Sequence, residues 1–279
     1  MAPCAPFIER CPRGWYALCF SDELKPGETL VRSLMGCDVQ VGRTCLGAVV
    51  LTGVDNRCAQ TWPVRETDGI VLVHPATQGS APPRWAVPPV DAENWSAPMR
   101  RQLVLPLHVA ESERRGVSLE HLALPAAFRA VHPQPAVRID GLYLTAAFEA
   151  RLPASHAGLW WATLHLDFEF EVHVYGPGYL RVEMRVPRLD IAVRWWALPT
   201  PIDADHVVLY LAASGHRRAG ATHPWLCRIP RSLRTALITR GLLSELVRDI
   251  QQSATPAPAG VHRSRPARRF AAAAVAAVR

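Results

Sequence analysis

Leu164–Tyr175 reads LHLDFEFEVHVY and alternates over its whole length. Leu164, Leu166, Phe168, Phe170, Val172 and Val174 fall on one face; His165, Asp167, Glu169, Glu171 and His173 fall on the other. A period of two with one apolar face is the pattern of a half-buried antiparallel strand. The alternating histidines and acids have a spacing that a metal site could use, but a wetted sheet face explains them without a ligand.

The same texture continues outward from this strand. GPG at 176–178 is a turn, and residues 136–149, 159–175, 178–186, 189–198 and 205–213 are strand-like. Upstream, WYALCF, LVRSLMGCDVQVGRT and LGAVVLTG read as short strands over residues 13–51, broken by glycines. TWPVRETDGIVLVHP adds a hairpin, because Asp68-Gly69 between two strand-like runs is a strong turn signal. Residues 75–98 are rich in proline, alanine and serine and read as a linker. HVAESERRGVSLEHLALPAAFRAV at 108–131 is helix-like, interrupted by Gly116 and Pro125. Residues 230–251 read as an amphipathic helix carrying Leu233, Leu237, Leu243, Leu246 and Ile250. The remainder, SATPAPAG and RSRPARRFAAAAVAAVR, reads as a disordered tail.

Composition excludes several classes. The chain has 279 residues, 49% of them hydrophobic and 20% charged, so it buries a sizeable core. No apolar run reaches the about 18 residues of a membrane span, and the nine residues Phe270–Val278 fall well short. The N-terminus lacks the basic start and apolar stretch of a secretory signal. The net charge of +7 is carried almost wholly by arginine, with Lys25 the sole lysine. Without aromatics interleaved on a basic face, this is a solvated surface rather than a nucleic-acid site. Six of the seven cysteines lie between Cys4 and Cys58, and no C-x-x-C, C-x-H or C-x-x-H occurs. They are expected to be reduced thiols of a cytoplasmic protein, and local pairs offer no zinc or iron–sulfur site.

Five phrases, in order, carry a resemblance: PRGWYALCFSDELKPGETLVRSLMGCDVQVGRT, TWPVRETDGIVLVHP, HVAESERRGVSLEHL, VYGPGYLRVEM and LPTPIDADHVVLYL. Together they span about residues 12–251. The chain resembles the oxygenase component of Rieske non-haem iron oxygenases, particularly the ketosteroid-hydroxylase-like branch. The resemblance implies an α+β fold. A truncated Rieske-like antiparallel β domain (1–75) and a linker (76–98) precede a helix-grip-like catalytic domain with a large antiparallel sheet and a hydrophobic pocket (99–252). A tail (253–279) follows. It also implies a trimer.

In such proteins the β domain holds a [2Fe–2S] cluster through two cysteines and two histidines, between the strand matching Leu46–Thr52 and the hairpin matching Thr61–Pro75. Here that interval is GVDNRCAQ, with Cys58 and no histidine, so both ligand loops are missing. The mononuclear iron site needs two histidines and a carboxylate. His121 matches one histidine. In one alignment Ala126 stands where the second belongs and Ser118 replaces the acid that precedes the first; in another, Gly116 stands at the first. Asp249, in LVRDIQ, matches the carboxylate. His132 lies eleven residues beyond His121, roughly 16 Å along an unbroken helix, too far to share a metal unless Pro125 bends the segment.

The expected protein therefore has no cofactor and no metal. The resemblance puts His121, Asp249 and Glu120 forward as catalytic residues. Ala126, Leu122, Phe128, Trp161 and Trp196 are put forward as lining a pocket between segment 108–132 and the sheet. Trp160–Trp161 and Trp195–Trp196 are twin pairs whose members face opposite ways on a strand. The expected function is a cofactor-independent cyclase or isomerase acting on a hydrophobic polyketide, terpenoid or steroid-like molecule. An oxygenase with a rebuilt iron site and a non-catalytic ligand-binding subunit remain open beside it.

Overall fold

Asp68 and Gly69 both adopt positive φ, 54° and 72°, the backbone hand that a two-residue hairpin turn requires. They join β5 (Val64–Thr67) to β6 (Ile70–Val73), and β6 pairs with β1 (Tyr16–Phe20). A second three-stranded sheet is formed by β2 (Thr29–Leu34), β3 (Cys37–Arg43) and β4 (Val49–Gly53). The computed structural model describes Cys11, residues 14–53, 62–75, Val87, residues 93–106, 129–131, 136–140, 143–151, 167–216 and 231–254.

The two small sheets enclose a core of Tyr16, Leu18, Cys19, Leu34, Val39, Val41, Val71 and Val73. Strict alternation along β1 would send Cys19 and Phe20 to the wrong sides. A register shift between Ala17 and Cys19 rephases the strand. Leu18 and Cys19 then face the small core, while Ala17 and Phe20 face the large sheet. This is the use of a β-bulge, re-aiming a side chain by one extra residue.

The rest of the described chain builds an eight-stranded antiparallel sheet. It comprises β7 (Met99–Pro106), β8 (Arg129–Ala130), β9 (Ala136–Asp140), β10 (Tyr143–Arg151), β11 (Asp167–Tyr175), β12 (Leu180–Val186), β13 (Ile191–Pro201) and β14 (His206–Gly215). The chain enters at one edge with β7 and crosses to the far edge, where β8 and β9 both border β10. It then meanders back until β14 lies beside β7. The helix-like segment 108–131 ends in strand instead: Arg129 and Ala130 pair with Arg151 and Ala150.

Helix α1 (Arg231–Ala254) packs on β7 and β14. Its buried side chains are Ile238, Thr239, Leu242, Leu243, Leu246 and Ile250. Leu233 and Leu237, expected in the buried stripe, are 51% and 56% exposed. The helical period is as read; the phase is set by where the helix meets the sheet. No described helix is long and apolar enough to cross a membrane.

The opposite face of the large sheet receives the small domain. Trp15, Ala17, Phe20, Ile70 and Leu72 pack against Tyr175, Tyr179, Trp196, Leu198, Val208, Tyr210 and Ala212, together with Val87 from the expected linker. Hydrogen bonds also join the two sides: Thr200 Oγ1 donates to the Ala17 carbonyl at 2.9 Å and Tyr210 Oη to the Leu18 carbonyl at 2.6 Å, and the Met35 and Gly36 N–H groups donate to the Pro201 and Ile202 carbonyls at 2.9 and 2.6 Å. The small sheets thus share one apolar, hydrogen-bonded layer with the large sheet.

Candidate functional site

The face of the large sheet that meets α1 is lined by alternating residues of five strands. Leu144, Ala146, Phe168, Phe170, Val172, Val182, Met184, Val193, Trp195 and Leu209 form one continuous apolar surface with the buried side of α1. Phe148 stacks on Phe170 with centroids 5.1 Å apart, and Trp195 meets Phe170 edge-on at 6.2 Å. Phe168, Phe170 and Trp195 are 1%, 2% and 0% exposed, so this face is closed to water.

Asp249 belongs to this side. It is half-buried on α1, between the fully buried Leu246 and Ile250. Trp196 does not. It is buried on the opposite face, where its indole N–H donates to Tyr179 Oη at 3.0 Å. Its neighbour Trp195 is the tryptophan that faces α1. The sheet itself separates Trp196 from Asp249, because successive strand residues point to opposite faces. His121, Glu120, Leu122, Ala126, Phe128 and Trp161 lie outside the described residues.

A second titratable cluster sits on the far face, and sequence reading treated it as wetted. The polar row of β11 is exposed at Glu169 and half-buried at Glu171, but His173 and Tyr175 are buried. Tyr143 Oη lies 2.9 Å from His173 Nδ1, and Glu171 Oε1 lies 3.2 Å from Nε2. The carboxylate favours the proton on Nε2, which leaves Nδ1 to accept from the phenol. The rings of Tyr143, His173 and Tyr175 lie near-parallel, with Tyr143 stacked on Tyr175 at 4.6 Å and 6.2 Å from His173. Arg181, buried, is the direct cross-strand neighbour of His173 and is paired at 3.8 Å with Glu183. Nearby, Tyr179 Oη donates to Asp68 Oδ2 at 2.8 Å. The available sequence signal was the run Tyr143, Tyr175, Tyr179 and Trp196, bulky polar-tipped aromatics on a face otherwise read as wet.

Burial, with the Arg181 cation beside it, pushes the His173 imidazole down to about 4. The ring is therefore neutral at physiological pH and serves as a hydrogen-bonded wedge between Tyr143 and Glu171. This has a measurable consequence. In the unfolded chain His173 takes a proton near its ordinary value of 6.5. Between pH 6.5 and about 4 the unfolded state binds a proton that the folded state refuses, so stability falls as the pH drops through that window. The slope is at most about 1.4 kcal/mol per pH unit. The depressed carboxyls of Glu66 and Asp203 lose their contribution only lower, as they begin to protonate in the unfolded chain. Thermal melts from pH 7 to 5 are expected to show a falling Tm that His173→Gln flattens. A wild-type-minus-variant difference independent of pH would refute this account.

The donors of the small domain do not make the ligand set of a [2Fe–2S] cluster. His74 is the sole histidine ahead of His108 in the chain. It is buried with its ring edge-on to Trp15 at 5.5 Å. Cys11, Cys19 and Cys37 are buried, and burial pushes the thiols of Cys11 and Cys19 up to about 11 and about 12. Cluster ligation needs thiolates. A set of two cysteines and two histidines is not available in this domain, so the residues do not fit the cluster. Of the candidate iron ligands only Asp249 is among the described residues, where no three His, Cys, Asp or Glu side chains converge. No chemical step is assigned to either group.

No protein-family model and no curated protein sequence matches the chain. Solved structures do. Apo dicamba monooxygenase superposes with a TM-score of 0.56 at 13% identity, covering 98% of this chain and 96% of that one. Dicamba monooxygenase bound to dicamba gives 0.55 at 13% identity, over 97% and 95%. A carbazole-bound oxygenase–ferredoxin complex of carbazole 1,9a-dioxygenase gives 0.52 at 15% identity, over 90% and 82%. At such identities the likeness speaks for the fold alone, and the fold of this sheet-rich α+β chain is that of the Rieske oxygenase components.

Proposed function

We propose that the chain is a cofactor-independent cyclase or isomerase, a degenerate member of the Rieske oxygenase family that has kept the scaffold without the cluster. Its substrate is a hydrophobic polyketide, terpenoid or steroid-like intermediate of secondary metabolism. The observation that carries the reading is the pairing of an intact aromatic wall, Phe148, Phe168, Phe170 and Trp195, with a small domain whose donors do not make a two-cysteine, two-histidine set.

A preformed apolar surface holds a flexible substrate in a folded conformer and shields it from water. Positioning of this kind lowers a barrier by several kcal/mol without a cofactor. Asp249, half-buried on α1, is the carboxylate proposed to hold or accept a proton. His121 is the proposed acid/base partner, since an imidazole exchanges protons near neutral pH. Residues 99–252 form the catalytic unit in this reading, and the small domain is a structural buttress.

The cyclisation or isomerisation proposed is an internal rearrangement of bonds with no loss of water, so it leaves elemental composition unchanged. The test incubates the purified chain with polycyclic polyketide, terpenoid and steroid intermediates, without oxygen and with EDTA, and reads products by mass spectrometry and retention time. The expected product is an isomer of its substrate. A product heavier by one or two oxygen atoms, formed only in air and with Fe(II), would replace this reading with that of an oxygenase with a rebuilt iron site. Tight binding without any product would leave a ligand-binding subunit.

A further inference from the structure

The far edge of the large sheet ends in β9, and all five of its residues are exposed. Its inner edge pairs with β10 from Ala136↔Ala147 to Asp140↔Tyr143. Among the described residues no strand pairs with its outer edge. The register sets Val137 opposite Ala146 and Ile139 opposite Leu144, both buried on the α1 face. Val137 and Ile139 therefore prolong that apolar face, yet they stand 44% and 46% exposed. Arg138 and Asp140 point to the other face, opposite Thr145 and Tyr143. An open edge usually carries a proline, a bulge or an inward charge that blocks further pairing. β9 has no proline, its ladder with β10 runs without a register shift, and its charges lie away from the apolar face.

The strand is also complementary to itself. If two copies of β9 run antiparallel about Ile139, Arg138 of each copy faces Asp140 of the other, and the two Ile139 side chains meet. Opposite charges and branched apolar residues directly across a ladder stabilise it, whereas like charges there destabilise it. A two-fold axis makes every contact twice.

We propose that the outer edge of β9 is the surface through which two copies of this chain associate, continuing the large sheet from one copy into the next. The pairing that β9 favours is written in its own charges, which favours a second copy over an unrelated peptide. With the axis at Ile139, the residues of β9 that pair are Arg138, Ile139 and Asp140 of each copy; so short a ladder buries less than the about 1,200 Å² of a standard interface, and the association depends on protein concentration.

Sedimentation velocity on the full chain over a range of concentrations tests this without reference to catalysis. Wild-type protein is expected to shift from monomer to dimer as concentration rises. Arg138→Asp sets aspartate against Asp140 twice and weakens association about tenfold; Asp140→Arg does the same with arginines. The double exchange R138D/D140R restores the pairing and with it the dimer. Ile139→Lys gives monomer. These positions are exposed, and unchanged Tm values check that each variant is folded. A monomer at every concentration overturns the proposal. So does any oligomer, a trimer included, whose assembly ignores the single exchanges, or a double exchange that fails to restore it.

Discussion

Gly178→Ala is expected to cost about 3 kcal/mol or more, enough to threaten folding in a domain whose total stability is of order 5–15 kcal/mol. A Cβ at Gly178 would be driven into the carbonyl oxygen of Trp15 and would lie 2.7 Å from the Tyr16 ring. The opposing atoms are backbone and a fully buried ring, so neither moves aside cheaply, and overpacking of this kind forces backbone shifts. Gly14 faces the same constraint, since its Cβ would lie 2.6 Å from Cδ of Pro177. The GPG turn and the start of β1 are thus pressed together where the small domain meets the large sheet. Gly241→Ala is the control: nothing lies within 4 Å of its Cβ in the middle of α1, and alanine there should add about 0.5–1 kcal/mol. Chemical denaturation of the three proteins checks the contrast. A Gly178→Ala protein as stable as wild type would mean that the domain contact is looser than described.

In the proposed isomerase, His121→Ala lowers turnover by about 10²–10⁴ if His121 transfers a proton in the transition state. Asp249→Asn tests the described part of the same site: it keeps the shape of the side chain and removes its negative charge. A fall in kcat with KM little changed, together with an altered pH profile, marks chemistry rather than packing. If His121 only packs, the loss appears as a few kcal/mol of stability with activity per folded molecule unchanged. Ala126→Trp separates shape from proton transfer. Turnover that survives a tryptophan there in a folded protein removes Ala126 from the pocket of this reading.

Local chemistry was legible without a structure. Asp68-Gly69, GPG and the alternation of Asp167–Tyr175 each demand a backbone conformation that neighbours along the chain suffice to impose, and each is found as read. The period of α1 was equally plain, but its end was not: Ser253 and Ala254, which read as tail, are the last residues of the helix. What failed were statements about which side meets what. Leu233 and Leu237 fit the helical stripe as well as Ile238 and Leu242 do, and only docking on β7 and β14 chose between them. Arg129–Ala130 looked helical until an open edge of β10 supplied its partners.

The site followed the same division. Alternation along β13 determined that Trp195 and Trp196 face opposite ways, but nothing in the tandem says which of them meets α1. Likewise β11 determined that His173 shares a face with Glu169 and Glu171. The small domain, reached through contacts more than a hundred residues apart such as Tyr179 to Asp68, left one end of that face wet and buried the other. From its sequence alone this protein has its strands, turns, helix and the poverty of cluster ligands in its first domain, because these depend on side-chain identity and short-range geometry. Burial, the choice of face and the neutral state of His173 were decided only in the tertiary structure, because desolvation and packing depend on which distant surfaces close over a residue.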